Sequence, residues 1–207
     1  RKFCSQPFLI EISAMSETEL KKISEMPAES LTGVGNPYVP GSELHYASKL
    51  TLHRDYDTDI DPVTFEVIRH ALWNINEEHG GTIQRVSGSP VAMYALDLNP
   101  TIMTEDAEFV YVGPYMQYMS GVADTQVKWI LEYRSENPGI FDGDMFLAND
   151  PWVGAPHQQD VMLVCPVFWE GELFAWITNC LHQYDIGGAT PGSFCPAAES
   201  SFDEGIS

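Results

Sequence analysis

Two histidines and one aspartate near the end of the sequence have the residue types and spacing of a catalytic metal site. His157 and Asp160 are three positions apart in the segment HQQD, and His182 follows after twenty-one further residues. Two imidazoles and a carboxylate that meet at one point, with room for water or substrate, form the pattern of a catalytic divalent metal ion. A lone histidine is more often an ordinary core residue, so this interpretation requires a fold that brings all three together.

The sequence between Asp160 and His182 predicts such a fold. It consists of two apolar, β-rich runs on either side of Glu170-Gly171. If these two residues are the loop of a β-hairpin, Trp169 lies opposite Glu172, and the two runs pair outward from there.

Counting outward from that loop brings the three residues to the open mouth of the hairpin. Asp160 then lies opposite Leu181 and Gln159 lies opposite His182, so that Asp160 and His182 are about one residue apart. His157 lies one short turn upstream, within reach of both. The hairpin therefore predicts a metal site formed by His157, Asp160 and His182.

The residue types narrow the choice of metal without fixing it. Nitrogen and oxygen ligands without thiolate suit Mn²⁺, Fe²⁺ or Zn²⁺, and three protein ligands leave positions open for chemistry. Asp150 and Asp185 flank the three residues. Each is either a fourth ligand or acceptor for an imidazole N–H, or a capping residue of a turn, and the sequence leaves both alternatives open.

Composition excludes several classes of protein. The chain of 207 residues has a net charge of −20, from 30 acidic against 10 basic residues, which argues against a surface that binds nucleic acid phosphates. No apolar run is long enough to span a bilayer, and the N-terminus has no apolar segment of the signal-peptide type. We therefore expect a cytoplasmic protein that is neither inserted into a membrane nor secreted.

The cysteines agree with a reducing compartment. In the predicted register Cys165 faces Trp176 and Cys180 faces Val161, which separates the two sulfurs by four residues along the strands, or about 13 Å. That distance is too long for a disulfide. The spacings of the four cysteines match no zinc motif, so we expect free thiols.

One helix is clearly marked. Asp61 has the position of an N-cap and Pro62 that of the first helical residue. Apolar residues follow at helical spacing, and this stripe is predicted to pack inward. The histidine at its end is predicted to be a structural residue without a role in the site. The stripe consists of Phe65, Ile68, Leu72, Ile75 and His79.

The remaining elements predict an α+β fold, with a mixed, largely antiparallel sheet, packed helices and the metal site at the hairpin mouth. Strands are predicted over 87–95, 109–112 and 145–147, and a second helix over 122–133. The glycine-rich segment 185–192 is not followed by the Gly-Lys-Ser/Thr of a phosphate loop, so its glycines more simply allow close backbone approach.

Residues 1–57 have weak periodicity and are predicted to form an extended N-terminal arm. Ser16 and Glu19 have the spacing of a capping box, which predicts a short helix over 16–23. A loop rich in proline, glycine and serine follows. The domain that carries the metal site is predicted to span 58–207.

Four segments of that domain resemble the hydantoinase B/oxoprolinase family, which includes the large metal-binding subunits of the ATP-dependent acetone and acetophenone carboxylases. The resemblance covers roughly residues 58–207, whereas residues 1–57 match no family that we can name. The segments are DPVTFEVIRHAL from Asp61, GIFDGDMFLANDPWVGAPHQQDV from Gly139, PVFWEGELFAW from Pro166 and HQYDIGGATPGS from His182.

The resemblance implies a ligand set and a partner. In the acetone carboxylase type, an HxxD motif and a downstream histidine hold manganese, and these positions map onto His157, Asp160 and His182. ATP is handled there by a partner subunit of the hydantoinase A type within a hetero-oligomer, which agrees with the missing phosphate loop. Family members are much longer, so we expect this sequence to be either a fragment of a larger subunit or a naturally split subunit.

The implied function is that of a subunit of an ATP-dependent ketone carboxylase, which joins an enolate of a small ketone to activated bicarbonate beside Mn²⁺, or else Zn²⁺ or Fe²⁺. Two alternatives stay open. One is ATP-dependent hydrolysis of a cyclic amide such as hydantoin or 5-oxoproline, and the other is a non-catalytic assembly subunit. The many aromatic and methionine residues slightly favour a ketone.

Overall fold

The predicted hairpin lies inside the sheet and is its longest part. In the computed structural model, which describes residues 37–207, strand β4 (Asp160–Trp169) pairs antiparallel with strand β5 (Glu172–His182). Glu170 and Gly171 form the loop, with φ of 50° and 86°. Two successive positive φ values are those of a type I′ turn, the two-residue turn that suits a twisted hairpin. The predicted hairpin is confirmed.

The hairpin contains a β-bulge, which was not foreseen when its residue pairs were counted outward from the loop. Phe168 pairs with Leu173, whereas the next pair is Val167 with Ala175, so Phe174 has no partner on the opposite strand. One extra residue in one strand is a β-bulge, which shifts every later pair by one position.

This shift corrects the predicted pairs at the hairpin mouth. Asp160 lies directly opposite His182, so the predicted pairs of Asp160 with Leu181 and of Gln159 with His182 are wrong. The correction brings the carboxylate and the imidazole closer together than expected, since residues in direct register have Cβ atoms about 5 Å apart.

The same shift moves the cysteines. Cys165 pairs with Ile177, and Cys180 pairs with Met162, each one residue away from its predicted partner. Because side chains alternate along a strand, the two thiols lie on opposite faces of the sheet. Both are free, as is Cys195.

The hairpin is part of a five-stranded antiparallel sheet with the order β2-β1-β5-β4-β3. Strand β1 is Leu98–Thr104, β2 is Phe109–Val112 and β3 is Phe146–Ala148. The prediction for β2 is confirmed, and that for β3 differs by one residue. This mixed architecture of helices and an antiparallel sheet agrees with the predicted fold class.

The region before β1 differs from the prediction. No strand was predicted at β1, which contains Pro100, a residue that cannot donate to a ladder. In the structure its carbonyl accepts from Gly113 N at 2.9 Å, so the strand remains paired there. The strand predicted over 87–95 is wrong, since Val91–Ala95 forms a π-helical turn.

Helix α1 (Pro62–Val86) begins as predicted, because the Asp61 carboxylate accepts from the amides of Val63 and Thr64 at 3.0 and 3.1 Å. Its predicted inward stripe is wrong. Phe65 is 54% exposed, and Ile68 and Ile75 are also exposed. The residues that are buried instead are Asn76, Gly80 and Ile83.

A close approach at Gly80 explains this orientation of α1. A Cβ at Gly80 would lie 2.3 Å from Cε2 of Tyr115, whereas a Cβ at Gly81 would meet nothing closer than the Arg85 side chain at 3.8 Å. The helix therefore rests on its glycine side against Tyr115, and the larger apolar residues face away.

These two glycines give a matched test of that packing. Gly81→Ala should stabilise the protein by up to about 1 kcal/mol, because alanine favours helix more than glycine does. Gly80→Ala should instead destabilise it by about 1–3 kcal/mol, because the clash with Tyr115 exceeds the gain in propensity. Urea unfolding followed by circular dichroism measures both, and equal effects of the two substitutions would contradict the packing.

The opposite face of the sheet is covered by two helices, α2 (Gln117–Ser120) and α3 (Ala123–Arg134). The second helix predicted from the sequence is therefore confirmed. Between this face and α3 lies the main core, which includes Met103, Val127, Leu131, Met162, Val164 and Trp176. Among the described residues, no helix has both the length and the apolar character needed to cross a membrane.

The described part of the predicted arm packs on this core. Leu50 and Leu52 are buried in it, and Leu52 pairs with Leu173 at the start of β5. Residues 37–57 belong to the same compact unit as residues 58–207. Residues 1–36, with the helix predicted over 16–23, lie outside the described residues.

Candidate metal centre

The three predicted ligands converge at the mouth of the hairpin. Asp160 is the first residue of β4 and His182 is the last residue of β5, and the two are direct partners. His157 is placed by the turn that precedes β4, in which Asp160 N donates to His157 O at 3.0 Å. The hairpin positions Asp160 and His182, and this turn positions His157.

Their donor atoms are close enough to share one ion. One donor atom from each of the three residues lies within 4.8 Å of the others. His182 Nδ1 is 3.2 Å from Asp160 Oδ1, and His157 Nδ1 is 3.5 Å from Asp160 Oδ2. The two imidazole rings meet edge to face, with centroids 4.9 Å apart.

The burial of these atoms fits a bound cation. The side chain of Asp160 is fully buried and that of His182 is 8% exposed, whereas that of His157 is 40% exposed. Asp160 Oδ2 and His157 Nδ1 are buried and have no hydrogen-bond partner. A buried carboxylate oxygen without a partner is unfavourable, and a divalent ion would satisfy both atoms. The exposed side of His157 leaves the site accessible.

Asp97 is a fourth residue at the site and its second acidic one, and it was not predicted from the sequence. Its Oδ2 lies 3.7 Å from His182 Nδ1, and its Oδ1 is buried without a partner. Its backbone carbonyl accepts from His182 N at 3.1 Å. Asp97 therefore faces His182 from the side opposite Asp160, since it immediately precedes β1, the strand on the other side of β5.

The chain reaches Asp97 through an unusual backbone conformation. After the π-helical turn Val91–Ala95, Leu96 has φ 57° and ψ 35°, the left-handed region. This region costs on the order of 1 kcal/mol for a residue with a Cβ. Strained residues and π-turns are frequent at functional sites, and here they direct Asp97 toward His182.

The electrostatics of the site reflect its concentration of acids. The hydrogen bond that His182 Nδ1 donates to Asp160 raises the pKa of His182 above its usual value, with further contributions from the charges of Asp160 and Asp97. Burial raises the pKa of the Asp97 carboxyl. These mutually perturbed groups are typical of a functional site rather than of a solvated surface.

Tyr118 adds a hydroxyl group beside these acids. Burial, together with the charges of Asp160 and Asp97, raises the pKa of Tyr118 to about 12. Its phenol therefore remains protonated at neutral pH and can donate a hydrogen bond at the edge of the site. The residue lies on α2, and no sequence signal linked it to the hairpin.

The other two flanking acids cap turns. Asp150 Oδ1 accepts from Trp152 N at 2.9 Å, and Asp185 accepts from the amides of Gly187 and Gly192 at 2.8 and 3.1 Å. These backbone hydrogen bonds lower the pKa of Asp185. The turn-capping alternative therefore describes both residues. The acidic residue that lies beside His182 in addition to Asp160 is Asp97.

Fold and site together define a class of protein: an α+β domain with a candidate divalent-metal centre of two histidines and one aspartate at the mouth of a β-hairpin. The family model described as Hydantoinase B/oxoprolinase matches residues 61–207. The chain therefore belongs to the hydantoinase B/oxoprolinase family, and the resemblance seen in the sequence is confirmed.

Its relatives include enzymes with different substrates. The chain is 30% identical over 145 residues to 5-oxoprolinase 1 of Arabidopsis thaliana, which covers 70% of this chain and 11% of the relative. It is 29% identical over 127 residues to the acetone carboxylase alpha subunit of Xanthobacter autotrophicus, which covers 61% and 16%. The chain thus spans only a small part of the length of these relatives.

Two solved structures share the fold. A nucleotide-free structure of acetone carboxylase, from a study of ATP-dependent acetone carboxylation, aligns with a TM-score of 0.68 and 26% identity over 71% of this chain and 19% of its own. The ATP-dependent caprolactamase of Pseudomonas jessenii aligns with a TM-score of 0.61 and 27% identity over 72% and 25%. Both are ATP-dependent enzymes, one a carboxylase and the other a hydrolase of a cyclic amide.

Proposed function

We propose that this chain is the metal-bearing part of a subunit of an ATP-dependent ketone carboxylase of the acetone or acetophenone type. The observation that carries the proposal is the convergence of His157, Asp160 and His182, with two buried donor atoms that lack any hydrogen-bond partner. The similarity to acetone carboxylase, in sequence and in fold, supports the ketone as substrate.

The three residues would hold a divalent ion, manganese first and zinc second. Such an ion would supply Lewis-acid stabilisation to a substrate oxygen. Asp160 balances its charge from the buried side, and the half-exposed His157 leaves the outer side open to substrate. Tyr118 would donate a hydrogen bond to a substrate oxygen at the rim, because its hydroxyl lies beside Asp97 and Asp160.

Hydrolysis of a cyclic amide is the second candidate. The sequence is similar to a 5-oxoprolinase and the fold is similar to caprolactamase, and we propose that the same ligands would serve either reaction. A third candidate is a non-catalytic assembly subunit, which requires no metal. Metal content separates this last candidate from the other two.

We also propose a partner subunit of the hydantoinase A type, which binds ATP, together with further subunits. The acetone carboxylase relative is named as an alpha subunit, and the described residues contain no phosphate-binding loop of the Gly-Lys-Ser/Thr type. Bicarbonate and ATP would be used by the assembled complex.

The test is the ATP turnover of the whole complex with acetone, acetophenone, hydantoin, 5-oxoproline and caprolactam as substrates. We expect turnover that depends on a ketone and bicarbonate, that stops when a chelator removes the metal, and that returns with Mn²⁺. Turnover with a cyclic amide and without bicarbonate would favour the second candidate. Full turnover of metal-free complex would contradict both.

Asp97 should contribute to metal binding less strongly than the three ligands. We expect Asp97→Asn to lower the affinity for Mn²⁺ by about 10–100-fold, the range seen when residues that support metal ligands are changed. Titration with Mn²⁺ by calorimetry measures this. Asp150→Asn is the matched control and should leave the affinity unchanged, because Asp150 only caps a turn.

A further inference from the structure

One face of the hairpin is largely apolar, and among residues 37–207 no helix packs extensively on its β4 half. Along β4 and β5 every second side chain points away from the main core, and these side chains are half-buried. We call this set the outer face. It consists of Val161, Leu163, Cys165, Val167, Ala175 and Ile177, together with one polar residue, Asn179, which lies opposite Leu163.

The sequence of β4 is that of a strand buried on both faces. Strands with one solvated face alternate apolar and polar residues, whereas strands buried on both faces are almost continuously apolar. The run VMLVCPVFW in β4 has no polar outward residue that would mark a solvated face. On the neighbouring edge strand, Leu147 is 74% exposed.

Helix α1 covers only the other half of this side of the sheet. It packs on β1 and β2, where Asn76 Nδ2 donates to Pro100 O and Ile83 contacts Leu98. Five strands about 4.8 Å apart make a sheet about 19 Å wide, which accommodates two helices at about 10 Å spacing. The half that no helix of the described residues covers is therefore about the width of one further helix.

The charge of this half favours a basic occupant. No lysine or arginine follows Arg134 in the sequence. Strands β3, β4 and β5 and the loops between them therefore contain acidic residues but no lysine or arginine. Acids lie at the hairpin tip, at Glu170 and Glu172, and before β3, at Asp142 and Asp144. A second copy of this chain, with its own net charge of −20, would be repelled.

We propose that the outer face docks a helix of a partner subunit, with an apolar stripe flanked by lysine and arginine. The inference rests on the proposed function in one respect, because it takes the ATP-handling subunit as that partner. An apolar helix laid on an apolar groove, with charges at the rim that complement it, is a common mode of recognition.

Cys165 is a built-in probe of this surface, since it lies in the middle of the outer face and is free. In the complex with the ATP-handling subunit, alkylation of Cys165 by N-ethylmaleimide should be at least tenfold slower than in the chain alone. Cys195, which is also free and lies outside the hairpin, should react at the same rate in both. Mass spectrometry of the two peptides gives both rates in one experiment.

A charge placed on the outer face should block docking. Leu163→Glu should weaken binding of the partner subunit by at least about tenfold, because a carboxylate would be buried against apolar side chains. Val39→Glu, at a residue that is 77% exposed, is the matched control and should bind like the unmodified chain. Unchanged melting temperatures and an unreactive Cys180 confirm that both variants fold.

Several results would overturn the proposal. These are equal alkylation of Cys165 in the free chain and in the complex, normal binding by Leu163→Glu, or no complex at all. Dimers of the free chain that Leu163→Glu dissociates would assign the face to a second copy. Protection of Cys165 in the free chain that disappears when residues 1–36 are removed would assign it to this chain itself. Metal content of the same preparations shows whether the proposed function fails independently.

Discussion

Asp160→Asn should abolish metal binding while the fold persists. Asparagine has the shape of aspartate but lacks the charge that balances the cation, and Asp160 is the only one of the three proposed ligands that is negatively charged. We expect a loss of affinity of more than about 100-fold, beyond the range for residues that merely support ligands. Elemental analysis of purified protein measures metal content, and the turnover of the complex should fall with it.

The control for this substitution is Asp150→Asn, at another aspartate near the site that caps a turn. It should keep its metal. Circular dichroism should show that both variants are folded, because asparagine has nearly the same size and shape as aspartate and can fill the same space. Full metal content and full turnover in Asp160→Asn would mean that Asp160 is a structural residue, and the site assignment would be wrong.

Trp176→Ala should have the largest effect on stability. Trp176 is fully buried in the main core, and its Nε1 donates to the Glu105 carbonyl at 3.1 Å. Removing a buried tryptophan side chain costs about 3–5 kcal/mol. We expect the free energy of unfolding in urea to fall by that amount, and the metal site to be lost with the hairpin near physiological temperature.

Two further variants separate the contributions. Trp169→Ala, in the same hairpin but 61% exposed, should change stability by less than about 1 kcal/mol. Trp176→Phe should lie between the two, because it keeps most of the apolar contact and leaves the Glu105 carbonyl without its donor, at about 1–3 kcal/mol. A similar loss for the two tryptophan-to-alanine variants would show that Trp176 does not hold the core together.

The hairpin was predictable because its signals are local. Glu170-Gly171 supplies the positive φ values of its turn, and the apolar runs on both sides have matching lengths. The bulge at Phe174 was not predictable, since it depends on how Phe168 and Phe174 are accommodated by neighbouring elements. The convergence of the ligands survived this error, because a shift of one residue still leaves Asp160 and His182 at the hairpin mouth.

Asp97 and the orientation of α1 were not predictable for a different reason. The position of Asp97 depends on the pairing of β1 with β5, which lies about eighty residues away along the chain, and no strand was predicted at β1. The outward stripe of α1 reflects the close contact of Gly80 with Tyr115. In both cases a tertiary contact outweighs the local sequence pattern. Such a contact between distant residues cannot be read from the spacing of apolar residues along the sequence.

The most direct test of the account is X-ray diffraction from crystals of the protein prepared with Mn²⁺, with data collected on both sides of the manganese absorption edge. We expect an anomalous peak between His157, Asp160 and His182, at bonding distance from all three. A peak found only elsewhere, or none while these side chains remain hydrogen-bonded to one another, would contradict it.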